Sequence, residues 1–135
     1  QLNEESAEGA AASVGYFLNL YRYAFMTGNT TEIAKMSEDQ CKFCQSAISR
    51  ATSLHTTGGW IDKWEQNVAN VTYYEKLEGR DYNRVAVVVD YGAMTSHPGD
   101  GGSAKTSAPD KGRSLNFGVR YVNGGWLVGG VEVAK

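Results

Sequence analysis

The spacing of apolar residues changes once along this chain, and that change restricts the folds open to it. Before Gly58-Gly59 the spacing is helical. In residues 4–26, EESAEGAAASVGYFLNLYRYAFM, the positions Val14, Phe17, Leu18, Tyr21, Ala24 and Phe25 recur at steps of three and four and draw a single stripe. After the glycine pair the spacing is alternate. NRVAVVVDYGAM (83–94) sets Val85, Val87, Val89 and Tyr91 on one face, and RSLNFGVRYV (113–122) does the same with Leu115, Phe117, Val119 and Tyr121. A run of helices followed by a run of strands defines an α+β domain.

Punctuation residues divide the two halves further. Gly28 suits the C-terminal cap of the first helix. Asn29 followed by Glu32 reads as a capping box opening a second helix over about 30–36, and Ser37 followed by Gln40 opens a third that runs to about His55. A first strand is expected between Trp64 and Leu77, closed by the turn Glu78-Gly79-Arg80-Asp81, and Asn123-Gly124 turns the chain into a last strand over 125–133. No crossover helices separate the strands, so they pair antiparallel. The expected architecture is three helices and a curled four-stranded antiparallel sheet, wrapped around the first helix as a cone with a pocket at its wide end. Residues 95–113 hold both prolines of the chain and read as a long mobile loop, a solvated hairpin tip or a ligand gate.

Length and charge exclude some functions. At 135 residues the chain forms a single domain. Thirteen basic residues face fifteen acidic ones, and Lys105, Lys111 and Arg113 are the densest basic group, so nucleic acid is not an expected partner. No apolar run approaches the roughly 18–20 residues that span a bilayer. The chain starts at Gln1, which is expected to reflect processing, with residues 1–6 as the end of a flexible tether.

Cys41 and Cys44 form a C-x-x-C pair near the start of the third helix, on a stripe with Ile48, Ala51 and His55. Residues i and i+3 of a helix are close enough for a disulfide. The pair is therefore open to three readings: a structural disulfide, two buried thiols, or a redox pair activated by the helix N-terminus. Redox chemistry of the thioredoxin type needs a strand before the motif, and 33–36 looks helical. A structural zinc site needs four ligands, and the chain holds two cysteines and two histidines, so no metal or cofactor is expected. His55 reads as a helix-end histidine and His97 as a loop histidine. An enzyme reading would recruit His55 as base with Asp90, which interrupts an apolar run, as its orienting acid. Tyr91, Phe117, Tyr121 and Trp126 complete the expected pocket lining, with core packing as their alternative role.

The helix-then-sheet order resembles the nuclear transport factor 2-like, or cystatin-like, fold. Residues 7–46, with Glu8-Gly9-Ala10, Phe17, Tyr21-Arg22-Tyr23-Ala24, Thr27-Gly28-Asn29-Thr30 and Cys41-x-x-Cys44, followed by Gly58-Gly59-Trp60, resemble an actinobacterial family of exported lipoproteins of unknown function. The resemblance implies an extracytoplasmic domain held to the membrane by a lipid anchor upstream of Gln1, an oxidised cysteine pair, and no known reaction. It leaves as partner a protein or a small ligand, and self-association as a homodimer remains open. A small-molecule enzyme with acid–base groups in the cone is the alternative function.

Overall fold

The computed structural model describes residues 3–134. Three helices come first: α1 (Ala7–Thr27), α2 (Thr31–Met36) and α3 (Lys42–Thr56). Seven strands follow: β1 (Trp60–Ile61), β2 (Gln66–Tyr74), β3 (Asn83–Tyr91), β4 (Met94–His97), β5 (Lys105–Ser107), β6 (Asp110–Val122) and β7 (Gly125–Val133). They form two antiparallel sheets, neither closed into a barrel: a four-stranded sheet in the order β2-β3-β6-β7 and a three-stranded one in the order β1-β4-β5. Among the described residues no helix is long and apolar enough to cross a membrane.

The two spacings meet in one core. Helix α1 starts at Ser6, whose hydroxyl accepts from the Gly9 N–H, and ends at Gly28 in the left-handed conformation at φ 81°, with its N–H returning to the Ala24 carbonyl. A side chain at Gly28 would also come within 2.8 Å of the His55 ring. Val14, Phe17, Leu18, Ala24 and Phe25 are buried on this helix, and Tyr21 packs against the same cluster. Opposite them, Val85, Val87 and Val89 of β3 and Leu115, Phe117 and Val119 of β6 supply the inner sheet face. Phe17 meets Phe117 edge-on, with ring centroids 5.7 Å apart. Burying one such side chain contributes about 1.5–3 kcal/mol.

Several boundaries differ from those the sequence suggests. Ser37 does not open α3: its hydroxyl donates back to the Ile33 carbonyl at 2.6 Å and its backbone is extended, bridged in parallel to Val128 of β7. The helix begins four residues later, with Cys41 as N-cap. Asn29 forms a local turn, accepting from the Thr31 N–H at 3.1 Å, and supplies no capping box. The first strand of the main sheet starts at Gln66, and Asn70, at φ 52°, sits in a register shift between Ala69 and Thr72.

The segment 95–113 is more ordered than a plain loop. β4 pairs with β5 on one side and with β1 on the other, and the loop joining β4 to β5 is packed closely at Gly99, where a Cβ would collide with the Thr57 carbonyl. Gln1 and Leu2 of the expected tether lie outside the described residues. Asn3 and Glu4 are held by the sheet: their carbonyls accept from the Tyr121 hydroxyl at 2.8 Å and the Trp126 indole at 2.7 Å.

Candidate functional site

At the end of the main sheet where β3 leaves it, α1, α3 and the β4–β5 hairpin leave a half-enclosed cavity of about 400 Å³. Leu18, Phe43, Met94, Leu115 and Val133 make its apolar walls. Tyr21 joins them, its ring stacked on Phe43 at 5.7 Å and set edge-on to Trp64. Such a volume lies within the range of small-molecule sites. The wall residues come from distant parts of the chain: Leu18 and Tyr21 share one turn of α1, while Leu115 lies at an inward position of β6.

Polar groups stand among these walls: Asp110, Arg113 and Tyr91, together with the Ser107 hydroxyl, which donates to the Met94 carbonyl at 3.5 Å, and the Tyr21 hydroxyl, which receives Arg50 Nη2 at 3.5 Å. Asp110 accepts from Arg113 Nε at 2.9 Å, and Arg113 Nη1 donates to the Ala134 carbonyl at 3.0 Å. The pair is partly exposed, at 45% and 32% of the side-chain surfaces. Tyr91 Oη has no hydrogen-bond partner among the described residues. Burial, then the neighbouring Tyr21 and Asp110, push its hydroxyl up to about 12, although Arg113 opposes this. Near neutral pH it is therefore a hydrogen-bond donor and not a base.

The residues singled out in the sequence are dispersed. Tyr91 lines the cavity. Phe117 lies in the core beneath Phe17. Tyr121 and Trp126 pack edge-on at 5.4 Å and hold the N-terminal segment. Asp90 Oδ1 accepts from the Gly112 N–H at 2.7 Å, beside the register shift between β3 and β6. His55 Nε2 bonds the Phe25 carbonyl at 2.7 Å, fastening the end of α1 to α3. Both members of the His55–Asp90 pair are thus engaged with backbone, each in a different place. His97 stacks on Trp60 at 4.3 Å and bonds Asp62 at 2.9 Å, and these bonds from His97 and Trp60 hold the Asp62 carboxyl below its usual range.

Cys41 and Cys44 form a disulfide with Cα atoms 5.2 Å apart, and both residues are fully buried. The Cys44 N–H also donates to Cys41 Sγ at 3.2 Å, so the sulfur caps the helix it staples.

A second polar cluster has no counterpart among the residues the sequence singles out. Glu38, buried at 7% side-chain exposure, bonds its backbone N–H to the Val128 carbonyl and turns its carboxylate over the edge of β7. There it receives the Tyr82 hydroxyl, Gln40 Nε2 at 3.1 Å and Arg120 Nε at 2.6 Å. Burial and then Glu38 raise the Tyr82 hydroxyl above its usual value, and the same carboxylate holds the Arg120 proton more tightly. A charged residue followed within three positions by a cysteine carries no recognisable signal, so only the structure reveals this cluster. Phe43, Asp110 and Arg113 give no signal as site residues either, because the fold alone brings them to the cavity.

These features define a small two-sheet α+β domain with a disulfide-fastened helix and an aromatic cavity. The chain belongs to a family of unknown function, DUF6318, which it matches over residues 1–132. No curated protein matches it. In fold it is similar to the intermembrane space region of the chloroplast protein ARC6, with a TM-score of 0.66 at 12% identity over 96% of this chain and 97% of that one.

Proposed function

We propose that this chain is a non-catalytic binding module, nuclear transport factor 2-like in architecture, that takes a small ligand or a side chain of a partner into the cavity between Leu18, Phe43, Tyr91 and Leu115. The observation that carries this reading is the combination of walls and polar groups. The walls are apolar, and the two charges among them, Asp110 and Arg113, engage each other. The Tyr91 hydroxyl, which has no hydrogen-bond partner among the described residues, stays protonated near neutral pH, so the cavity offers contact and orientation without a poised base. The module is exported and lipid-tethered: a buried disulfide suits an oxidising compartment, and the sequence resembles exported lipoproteins.

Titration with a hydrophobic fluorophore tests the cavity. Saturable binding that disappears in Met94→Trp, which fills the space, is expected. Binding unaffected by that substitution, or no binding at all, refutes the reading. The tether is tested by the complete reading frame: an upstream lipid-attachment cysteine is expected, and a frame that starts directly at this domain would refute it.

A further inference from the structure

We infer that the cavity selects an uncharged apolar molecule carrying one hydrogen-bond acceptor, seated so that Tyr91 Oη donates to it. This rests on the reading of the cavity as a binding pocket and adds the class of ligand. Three observations carry it. The first is the wall of Leu18, Tyr21, Phe43, Met94, Leu115 and Val133, which rewards an apolar body.

The second is charge. Asp110 and Arg113 lie 2.9 Å apart, and a further guanidinium nitrogen is engaged by the Ala134 carbonyl. An anionic ligand would meet the Asp110 carboxylate beside an arginine already neutralised, and would lose its own hydration on entering. A cation would meet Arg113 in the same way. The mouth therefore favours a neutral group.

The third is Tyr91. Its ring lines the cavity, its hydroxyl is partly withdrawn from water, and the groups its titration senses, Tyr21, Asp110 and Arg113, all line the same cavity. No protein acceptor satisfies it among the described residues. A purely hydrocarbon occupant would displace its water and leave a donor unpaired, whereas a carbonyl or ether oxygen would restore the bond.

Three probes sharing one ring system separate the possibilities: dimethylaminonaphthyl ethyl ketone, the corresponding naphthoate, and the parent dimethylaminonaphthalene. The ketone is expected to bind the wild-type chain saturably and more tightly than either of the others. In Tyr91→Phe its preference over the parent ring should fall by roughly three- to tenfold, the worth of one neutral hydrogen bond. Asp110→Asn should raise naphthoate affinity several-fold relative to the ketone. Naphthoate binding as tight as the ketone in the wild type, or a ketone preference unchanged by Tyr91→Phe, would overturn the ligand class while leaving the pocket in place. Failure of all three probes to bind would overturn both.

Discussion

Two ends of the same sheet carry the same three groups, a carboxylate, an arginine and a tyrosine, in opposite conditions. At one end Glu38, Arg120 and Tyr82 close on one another, and Gln40 completes the ring of donors. At the other, Asp110 and Arg113 pair near the surface while the Tyr91 hydroxyl is left unengaged in the cavity wall. A polar cluster whose donors and acceptors all find one another holds a structure together. One that leaves a donor facing a cavity is arranged for something that arrives. The Glu38 cluster is of the first kind. Residues 37–41 run along the open edge of β7, and the carboxylate clasps that strap to the sheet just before the disulfide.

The contrast can be broken most easily at Glu38. Glu38→Ala removes the acceptor of Tyr82 and Arg120, leaves Gln40 bonded to the Tyr82 hydroxyl alone and loosens the strap, so chemical denaturation should report a loss of about 2–4 kcal/mol. A loss below about 1 kcal/mol would mean that the cluster is not a fastening. Next comes the adjacent disulfide. Cys41→Ser with Cys44→Ser should cost about 1–2 kcal/mol, since so short a loop constrains the unfolded chain little. The wild-type bond should resist mild reductant until the chain unfolds, which intact mass after alkylation would reveal.

The tyrosines come third. Tyr82→Phe removes a donor to a buried carboxylate and should cost about 1 kcal/mol near neutral pH, whereas Tyr91→Phe should change stability by no more than about 0.5 kcal/mol there. At high pH the Tyr91 hydroxyl begins to matter. Its folded value of about 12 exceeds that of the unfolded chain, so the protonated form is favoured by folding. That contribution is intact below the ordinary tyrosine range, and it is lost as pH rises from about 10 towards 12 because the unfolded chain ionises first. Melting temperatures between about pH 9 and 11.5 should therefore fall less steeply in Tyr91→Phe than in the wild type. Asp110→Ala, which breaks a partly exposed pair, should likewise have only a small effect, about 0–0.5 kcal/mol on stability.

Much of the fold was legible because periodicity reports burial directly. The stripe of α1, the cap at Gly28, the alternation of β3 and β6 and the Asn123-Gly124 turn all stand where spacing and turn chemistry place them. What misled was local competition for the same groups. Ser37 carries a capping signature, but its hydroxyl bonds Ile33 and its backbone pairs with β7, a tertiary partner invisible in a window of four residues. The β4–β5 hairpin was hidden for a related reason. Short polar strands such as Lys105–Ser107 have no apolar alternation to announce them and exist because β4 lies alongside.

The candidate site was legible only in Tyr91. Sequence spacing groups Tyr91 with Phe117, Tyr121 and Trp126 as one inward-facing set, and the sheet is long enough to send these residues to its cavity end, its centre and its far end. Asp90 and His55 attract attention as ionisable groups in apolar settings, and each serves a backbone group instead. Asp110 and Arg113 look like ordinary residues of a glycine-rich stretch, and acquire their place through β6 pairing with β3.

The contrast between the closed and the open end can be read in a single titration followed by side-chain NMR. As the naphthyl ketone is added, the Met94, Leu18, Leu115 and Val133 methyl signals should move together along one saturable curve, while Val128 beside the Glu38 clasp stays still. Signals that do not move, or that move first around Val128, would contradict the assignment of the aromatic cavity as the binding site.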